Sequence, residues 1–515
     1  MNFDLEILRE RKKILPGLII FIWVIIQLTI SLPESILDDW MSWRQADTQN
    51  IARNFYKNGE SIFYPQINWG GNGPGYVENE FQLYTYTISR IFFLTSEHTL
   101  PGQILGLIFI IVTSLFLYKL VLLRFNDDLA ALFSLVVFLI SNGPIHLSTA
   151  IMPDALSIMC YSIGLYTFIK FTDTQKLKFL ILFIIFTALA GLVKPLALNL
   201  GIIQFFIILL GKRELLKDIR IWIGWILVVL IVGSYMYFSY NLYLKYGNTF
   251  GVIGGEKKFP TLQGLTVFIH YPKLFYMSVV WGLGITGWFS LIYLYIKKKL
   301  SHVEWAMLIG NVIAVFVAMR YMVNQGFSPH YYIFMCFFGA YLAGNAFKIL
   351  YENYLKTKHS AKLIVFTSVV LLIIYAAHLY HRTHPLRIHY HPNVNKTGYV
   401  LKNIAEPKSL IIVRSIAGER ERSEWGNRLN NFEDPRIFYI SDLHGWALPR
   451  DYKGYERVSE FVKLGAKYFV EPFRTPVDNE LEQWLEKNAK LIHSDYNGRI
   501  YKFNMLNHSS LENEY

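Results

Sequence analysis

The sequence predicts an α-helical polytopic membrane protein with about eleven transmembrane helices and a C-terminal α/β domain outside the membrane. Three observations lead to this fold class. First, 53% of the 515 residues are hydrophobic and only 17% are charged, whereas a soluble globular protein carries about 25% charged residues. Second, apolar stretches of spanning length recur along the chain. Third, the C-terminal region is polar. Together they exclude a disordered chain, a coiled coil and an ordinary soluble enzyme.

The apolar stretches define the membrane part, and each is roughly 12 to 22 residues long. Leu129–Ile140 is the shortest, so it must be tilted, extended by its neighbours or buried within the helix bundle. The predicted spans are Gly17–Leu32, Leu105–Leu122, Leu129–Ile140, Ala155–Ile169, Phe179–Val193, Leu196–Leu210, Ile221–Phe238, Phe275–Ile296, Val303–Met319, Tyr331–Leu350 and Leu363–Leu379.

Basic residues cluster in alternate loops, which predicts the orientation. They precede the first span and follow the second, fourth, sixth, eighth and tenth spans. The positive-inside rule then places the N-terminus in the cytoplasm of a multi-pass protein of the cell membrane. The formal net charge of +12 is therefore attributed to inner loops that face anionic lipid, and not to nucleic-acid binding.

The predicted domains are a transmembrane domain over residues 1–380, with a long first outer loop at 33–99, and a soluble extracytoplasmic domain over 381–515. The latter alternates strand-like and helix-like runs, which favours a small α/β fold. It contains no glycine-rich phosphate loop and no His/Cys set with metal-ligand spacing. Two roles remain open for it: a scaffold or acceptor-recognition domain, and a stabilising cap. The two cysteines, Cys160 and Cys336, lie in apolar runs and predict no disulfide framework.

The first outer loop begins with a helical pattern that carries polar residues. Ala46, Ile51, Ala52 and Phe55 recur at helical spacing and predict an amphipathic helix at the membrane surface. Arg44, Asp47 and Thr48 lie on adjacent turns, so they can face one spot. The alternative is an interfacial helix in which Arg44 and Asp47 merely pair with each other.

Two acidic residues and one lysine are further candidates. Glu78 follows a glycine-rich stretch, and a carboxylate there can ligate a divalent metal or act as a base. Asp154 opens a span after Pro153, where helix capping alone explains it. Lys194 lies at the outer end of a span, where an anionic partner and snorkelling to the interface both account for a lysine.

His270 and His330 precede the eighth and tenth predicted spans. Neither has a second histidine at metal-ligand spacing, so spacing alone favours an interface role. Asp47, Glu78, Asp154, Lys194, His270 and His330 nevertheless all fall at outer ends of spans. This common placement predicts a site for a charged, lipid-borne substrate.

Several motifs in the right order resemble those of bacterial GT-C glycosyltransferases of the protein-mannosyltransferase and aminoarabinose-transferase-like group. The segment Ser42-Trp43-Arg44-Gln45-Ala46-Asp47-Thr48, continued by Ile51-Ala52-Arg53, is similar to the first-loop motif. Similar signatures follow at Tyr76-Val77-Glu78 with Leu83-Tyr84, Pro153-Asp154-Ala155-Leu156, Leu192-Val193-Lys194-Pro195 and His330-Tyr331-Tyr332. The resemblance covers about residues 10 to 380, and a soluble outer domain is usual in the family.

The resemblance implies a membrane glycosyltransferase that moves a sugar from a polyprenyl-phosphate donor to a glycan, lipid or protein acceptor of the cell envelope, with inversion at the anomeric carbon. It implies that an acidic residue of the first loop is the base or key catalytic group, and it places that role on Asp47. Counting back from Ile51-Ala52-Arg53, however, puts the family's acidic pair at Arg44 and Gln45, so Asp39 is a competitor.

The same resemblance assigns a second catalytic or metal-binding role to Glu78, with His270 as its partner on a divalent metal. Arg44, Asp154, Lys194, His330 and Tyr331 are the expected substrate-binding residues. Two other classes stay open: a transporter or flippase for lipid-linked saccharides, and a non-catalytic assembly partner. The absence of a clear internal repeat and the surface placement of the polar groups favour the enzyme.

Overall fold

The structure is a computed structural model. It describes residues 2–32, 37, 41–254, 270–324, 329–355, 367, 370–378, 380, 392–416, 434–473 and 478–504. These residues form two compact units. The first unit comprises Met1–Glu34, Glu80–Phe238 and Lys258–Arg387. The second comprises Ser35–Asn79, Ser239–Lys257 and Ile388–Tyr515.

The first unit is built of apolar helices, as the composition predicts. Its helices in chain order are α1 (Asn2–Ile26), α3 (Leu83–Thr95), α4 (Leu100–Phe125), α5 (Asp128–Leu139), α6 (Asn142–Leu147), α7 (Asp154–Thr174), α8 (Leu177–Val193), α9 (Asn199–Gly211), α10 (Ile219–Tyr246), α11 (His270–Val280), α12 (Gly284–Ile296), α13 (His302–Asn324) and α14 (Ile333–Leu350). The last residues of α10 belong to the second unit, and α2 (Ser42–Asn58) is part of that unit.

The helices agree with the predicted spans. Within the described residues, four are long and apolar enough to cross a membrane, and a bent pair forms a fifth. Five shorter apolar helices accompany them: Ile14–Ile30, Asp128–Leu139, Leu177–Val193, Pro195–Gly211 and His302–Val317. Every predicted span before residue 363 corresponds to one of these elements. Most of the span predicted at Leu363–Leu379 lies outside the described residues, of which 370–378 are helical. A polytopic helical membrane protein is therefore confirmed.

The span predicted at Phe275–Ile296 is a broken helix. Its halves, Tyr271–Val280 and Gly284–Ile296, meet at 101°. The break is local in origin, because Gly284 adopts a φ of +71°, a left-handed conformation that side chains disfavour. Periodicity alone does not reveal the break, since both halves are apolar.

Glycines also let the second half of this pair approach α14 closely. A Cβ on Gly339 would lie 2.2 Å from the carbonyl oxygen of Leu283, and one on Gly287 would lie 2.8 Å from the Cα of Gly339. Gly339→Ala should therefore lower the free energy of unfolding by about 1–3 kcal/mol through overpacking. Gly233→Ala is the matched control, because its Cβ would meet nothing within 4 Å. Equal melting temperatures of the two variants in detergent would contradict this packing.

In its described residues, the second unit contains α2 (Ser42–Asn58), four further helices and a five-stranded sheet. The helices that follow α14 are α15 (Pro392–Ile404), α16 (Pro435–Ser441), α17 (Glu456–Lys463) and α18 (Asn479–Asn488). The strands are β1 (Leu410–Arg414), β2 (His444–Leu448), β3 (Ala466–Glu471), β4 (Ala489–Ser494) and β5 (Arg499–Phe503).

The sheet has the order β2-β1-β3-β5-β4. Strand β1 pairs in parallel with β2 and β3, whereas β5 pairs antiparallel with β3 and β4. One face packs on α17 and α18 through Val458, Leu481 and Leu485. A small C-terminal α/β fold is thus confirmed. The predicted domain boundary near residue 380 stays a prediction. In the structure, the segments 35–79 and 239–257 belong to the same compact unit as the C-terminal residues.

Candidate active site

Helix α2 buries polar side chains. Its apolar residues Ala46, Ile51, Ala52 and Phe55 are buried as predicted. The buried polar side chains between 45 and 55 are Gln45, Asp47, Thr48, Gln49, Asn50, Arg53 and Asn54. Burying polar groups is unfavourable unless they are hydrogen-bonded. The many buried polar side chains of α2 therefore make this helix a candidate for the active site.

Asp47 is held by the loop that follows α2. The indole Nε1–H of Trp69 donates to Asp47 Oδ1 at 3.1 Å, and Asp47 is only 3% exposed. The Trp69 ring meets Phe250 edge-on, with centroids 5.8 Å apart. The Arg44 guanidinium lies over the same Phe250 ring, 5.0 Å from its centroid. Asp47 and Arg44 are thus both anchored to aromatic side chains of the second unit.

Asn54 and Asn68 connect α2 to the same loop. Asn54 Nδ2 donates to the carbonyl oxygen of Gln66 and to Asn68 Oδ1, both at 2.8 Å. A carbonyl oxygen can only accept, so these bonds establish which amide atoms are the nitrogens. The NH₂ group of Asn68 is therefore a donor, and within the described part of the chain it has no hydrogen-bond partner. Asn50 Nδ2 is also buried without a partner there.

Glu78 is fully buried, and three donors of the loop 248–253 bond to its carboxylate. Ile253 N–H donates to Oε1 at 2.7 Å, Val252 N–H donates to Oε2 at 3.3 Å, and the Thr249 hydroxyl also donates to Oε2. The main chain of Glu78 bonds to Asn248 and Phe250 as well. In this geometry the carboxylate anchors the loop 248–253, which carries the Phe250 ring beneath Arg44. Its predicted catalytic role stays a prediction.

Glu78→Gln separates anchoring from catalysis. The amide NH₂ would face a backbone N–H, so one buried donor loses its acceptor at about 1–3 kcal/mol. We expect a lower melting temperature and faster hydrogen exchange of the Val252 and Ile253 amides. The matched control is Glu60→Gln. Glu60 accepts a hydrogen bond from the hydroxyl of Tyr76 at 2.7 Å, which is the largest reason that the pKa of Tyr76 is raised to about 12. The amide oxygen of Gln can still accept from this hydroxyl, and the substitution leaves the 248–253 loop intact. Unchanged exchange in Glu78→Gln would argue against the anchor.

A second polar cluster lies in the first unit, where α7 begins and α8 ends. Lys194 Nζ is 3.2 Å from Asp154 Oδ1, and the two side chains are 10% and 2% exposed. Lys194 Nζ also lies over the Tyr331 ring, 5.0 Å from its centroid. The His330 ring is 4.2 Å from the Tyr331 ring. The fold thus brings together Asp154, Lys194, His330 and Tyr331, which are far apart in sequence.

The predicted site residues are therefore distributed over two clusters, one in each unit. Arg44, Asp47 and Glu78 belong to the second unit, and Asp154, Lys194, His330 and Tyr331 belong to the first. Their convergence at one membrane surface stays a prediction. Asp39 lies outside the described residues. His270 opens α11, but its side chain is outside them too.

The predicted metal site gains no ligand set from the described residues. No group of three or more His, Cys, Asp or Glu side chains there could hold a metal ion. The Glu78 carboxylate already accepts hydrogen bonds from three donors. Glu78 therefore fits a structural anchor better than a metal ligand, and a metal requirement stays a prediction.

Sequence reasoning overlooked Trp69, Asn54, Asn68, Thr249 and Phe250. Trp69 and Asn68 lie in the glycine-rich stretch before Glu78, to which the sequence alone assigns no role. A tryptophan next to two glycines, in a loop expected to carry chemistry, was the available signal, since a buried indole N–H usually finds a partner. Thr249 gives no local signal, because its contact with Glu78 spans 171 residues.

Residues 82–238 match the family model of dolichyl-phosphate-mannose-protein mannosyltransferases. This match runs from α3 into α10 and includes Asp154 and Lys194. No curated protein matches the chain in a sequence comparison.

Solved structures match nearly the whole chain. The apo crystal structure of ArnT from Cupriavidus metallidurans has a TM-score of 0.60 and 11% identity, and the match covers 94% of this chain and 97% of that one. ArnT bound to undecaprenyl phosphate has a TM-score of 0.51 and 10% identity, with the same coverage. The Archaeoglobus fulgidus oligosaccharyltransferase in complex with zinc and sulfate has a TM-score of 0.56 and 13% identity, covering 94% of this chain and 72% of that one. At such identities the likeness shows the fold, and it confirms the predicted GT-C type.

Proposed function

We propose that this chain, which by family model and fold is a membrane glycosyltransferase of the GT-C type, moves a sugar from a polyprenyl-phosphate donor to an acceptor of the cell envelope. The acceptor is a glycan, a lipid or a protein, and transfer takes place at the extracytoplasmic face. The observation that carries the proposal is the buried carboxylate of Asp47, held by Trp69 on a helix rich in buried polar groups.

Asp47 is the proposed general base. An acceptor hydroxyl attacks the anomeric carbon, and its oxygen forms the new glycosidic bond while its proton passes to Asp47. The bond between the anomeric carbon and the phosphate oxygen breaks, and polyprenyl phosphate leaves with that electron pair. A single displacement of this kind inverts the anomeric centre.

Lys194 is the proposed partner of the phosphate. The leaving group gains negative charge as its bond breaks, and a fixed cation stabilises that charge. Lys194 is a buried cation, kept in place by Asp154 and by the Tyr331 ring. The fold shared with a protein crystallised with undecaprenyl phosphate supports a polyprenyl phosphate as the carrier.

The amide of Asn68 is the proposed donor to an oxygen of the acceptor. It is a fully buried hydrogen-bond donor, and the next residue in the chain, Trp69, binds the proposed base. An acceptor with several hydroxyl or carboxyl oxygens could therefore be bound through one oxygen while another is deprotonated.

Asn68→Asp tests this role, because it keeps the oxygen that bonds Asn54 and removes the NH₂ donor. We expect the KM for the acceptor to rise about tenfold, the equivalent of one hydrogen bond, with the KM for the lipid donor unchanged. Asn58→Asp is the matched control, since Asn58 is exposed and bonds only to the side chain of Gln66 within the described residues. Equal acceptor KM values in both variants would contradict the assignment.

The bent pair of α11 and α12 is a feature that also occurs in transporters, which use broken helices. A transporter would leave the sugar–phosphate bond intact. The test is mass spectrometry of lipid-linked sugars and envelope glycans in a deletion strain. We expect one polyprenyl-phosphate sugar to accumulate and one glycan modification to disappear, with both restored by the wild-type gene. Unchanged glycans would reject the proposal.

A further inference from the structure

The C-terminal sheet is joined to the loop that holds Asp47 through two backbone hydrogen bonds. Gly445 N–H donates to the carbonyl oxygen of Asn68 at 2.9 Å, and Gly71 N–H donates to the carbonyl oxygen of Gly445 at 2.7 Å. We call Asn68, Gly71, Gly445 and Trp446 the loop–strand contact. All four residues belong to the second unit.

Glycine is required on both sides of this contact. Gly71 has a φ of +82°, and a Cβ there would lie 2.7 Å from Trp446 Nε1. A Cβ on Gly445 would lie 1.8 Å from the carbonyl oxygen of Ile411 in β1. Trp446 is itself fixed, because its ring stacks on Phe461 with centroids 4.8 Å apart. The loop therefore lies against a rigid part of the sheet domain.

The helix that carries Asp47 is attached to the same domain at a second place. Arg53 Nη1 donates to the carbonyl oxygen of Tyr439 at 2.7 Å, and its guanidinium lies 4.5 Å from the Tyr439 ring centroid. Both Arg53 and Lys57 pair with Asp442, which follows α16. The carboxylate and its indole donor thus lie on two segments, α2 and the loop, that are each bonded to the sheet domain.

We infer that the C-terminal domain positions the base: the loop–strand contact sets the place of Trp69, and Trp69 sets the place of the Asp47 carboxylate. Trp69 and Gly71 are then positioning residues of the reaction, and the domain is more than a stabilising cap. This inference rests on the proposed function. Misplacing a reacting group by about 1 Å lowers a rate about 100-fold. Disrupting the loop–strand contact should therefore lower kcat.

The experiment compares Gly71→Ala, Gly59→Ala and Trp69→Phe in purified full-length protein. The probe is the radiolabelled polyprenyl-phosphate sugar fraction extracted from native membranes. Gly59 is a matched control, because it has a φ of +69° but its Cβ would meet nothing within 4 Å. We expect Gly71→Ala and Trp69→Phe to lower kcat by about 10- to 100-fold, with the KM for the donor within twofold of wild type. Gly59→Ala should keep the wild-type kcat.

Two further measurements separate positioning from folding. Trp446→Leu removes the indole that an alanine at position 71 would strike, so the double variant Gly71→Ala/Trp446→Leu should regain most of the kcat lost in Gly71→Ala. Hydrogen exchange of the Gly71 amide reports the loop–strand contact without any transfer assay. It should be faster in Gly71→Ala and unchanged in Trp69→Phe.

The outcomes are distinguishable. A Trp69→Phe protein with wild-type kcat overturns the inference, even if Gly71→Ala fails to fold, because this substitution leaves the backbone contact intact. Fast exchange at Gly71 together with a wild-type kcat in Gly71→Ala also overturns it. No transfer by the wild-type protein, despite normal protection of the Gly71 amide, rejects the proposed function and this inference with it.

Discussion

Asp47→Asn is expected to lower the rate of sugar transfer by about 100- to 10,000-fold, the usual range for loss of a general base. An amide cannot take the proton of the acceptor hydroxyl. The carbonyl oxygen of the new side chain can still accept from Trp69 Nε1, so the fold and the melting temperature should hold. The measurement is the initial rate of transfer in membranes that contain equal amounts of each variant.

Glu480→Gln is the control for the loss of one carboxylate, because Glu480 is exposed on the first turn of α18. It should transfer at the wild-type rate. Asp39→Asn belongs in the same series as the competing assignment. If Asp39→Asn loses all transfer and Asp47→Asn transfers at the normal rate, the base is Asp39. The proposed function, glycosyl transfer, would then still hold.

Lys194→Gln is expected to have the second large effect, on stability as well as activity. Removing one partner of a buried ion pair leaves the other charge uncompensated and costs about 3–5 kcal/mol. The side chain of Asp154 is 2% exposed, so water cannot solvate its carboxylate when Lys194 is replaced. We expect a lower melting temperature in detergent and little or no transfer.

The double variant Asp154→Asn/Lys194→Gln separates these two effects. It removes both charges and leaves side chains that can still hydrogen-bond, so most of the stability should return. Transfer should not return, because Lys194, the cation assigned to the leaving phosphate, has been removed. A double variant with near wild-type transfer would show that the pair serves the fold alone.

The fold was largely predictable from the sequence because its main signals are local. Runs of apolar residues define the spans, and nearly all predicted spans within the described residues coincide with helices. The break between α11 and α12 was missed because both halves are apolar, so hydrophobic periodicity does not reveal the left-handed conformation at Gly284. Strands β2 and β4 were missed too, since both lie at the edges of the sheet and much of β4 is exposed.

The candidate site was only partly predictable, because local sequence signals identify charged residues but not their long-range contacts. Asp47, Asp154 and Lys194 were identifiable because charge is rare in an apolar chain and each lies next to a predicted helix end. The attachment of α2 and of the Trp69 loop to the sheet domain was not, because Tyr439 and Gly445 lie hundreds of residues from Arg53 and Asn68 in sequence. The role of Glu78 also needed the structure, since only the fold shows the amides of Val252 and Ile253 around it.

The most direct test of the account uses the purified protein in proteoliposomes with radiolabelled polyprenyl-phosphate sugar and an envelope extract as acceptor source. A glycosyltransferase releases free polyprenyl phosphate in equal amount to the sugar transferred, so both products are counted. We predict equal release and transfer by the wild-type protein, and neither by Asp47→Asn. The account is contradicted if the lipid-linked sugar changes leaflet intact, or if Asp47→Asn releases polyprenyl phosphate as fast as the wild-type protein.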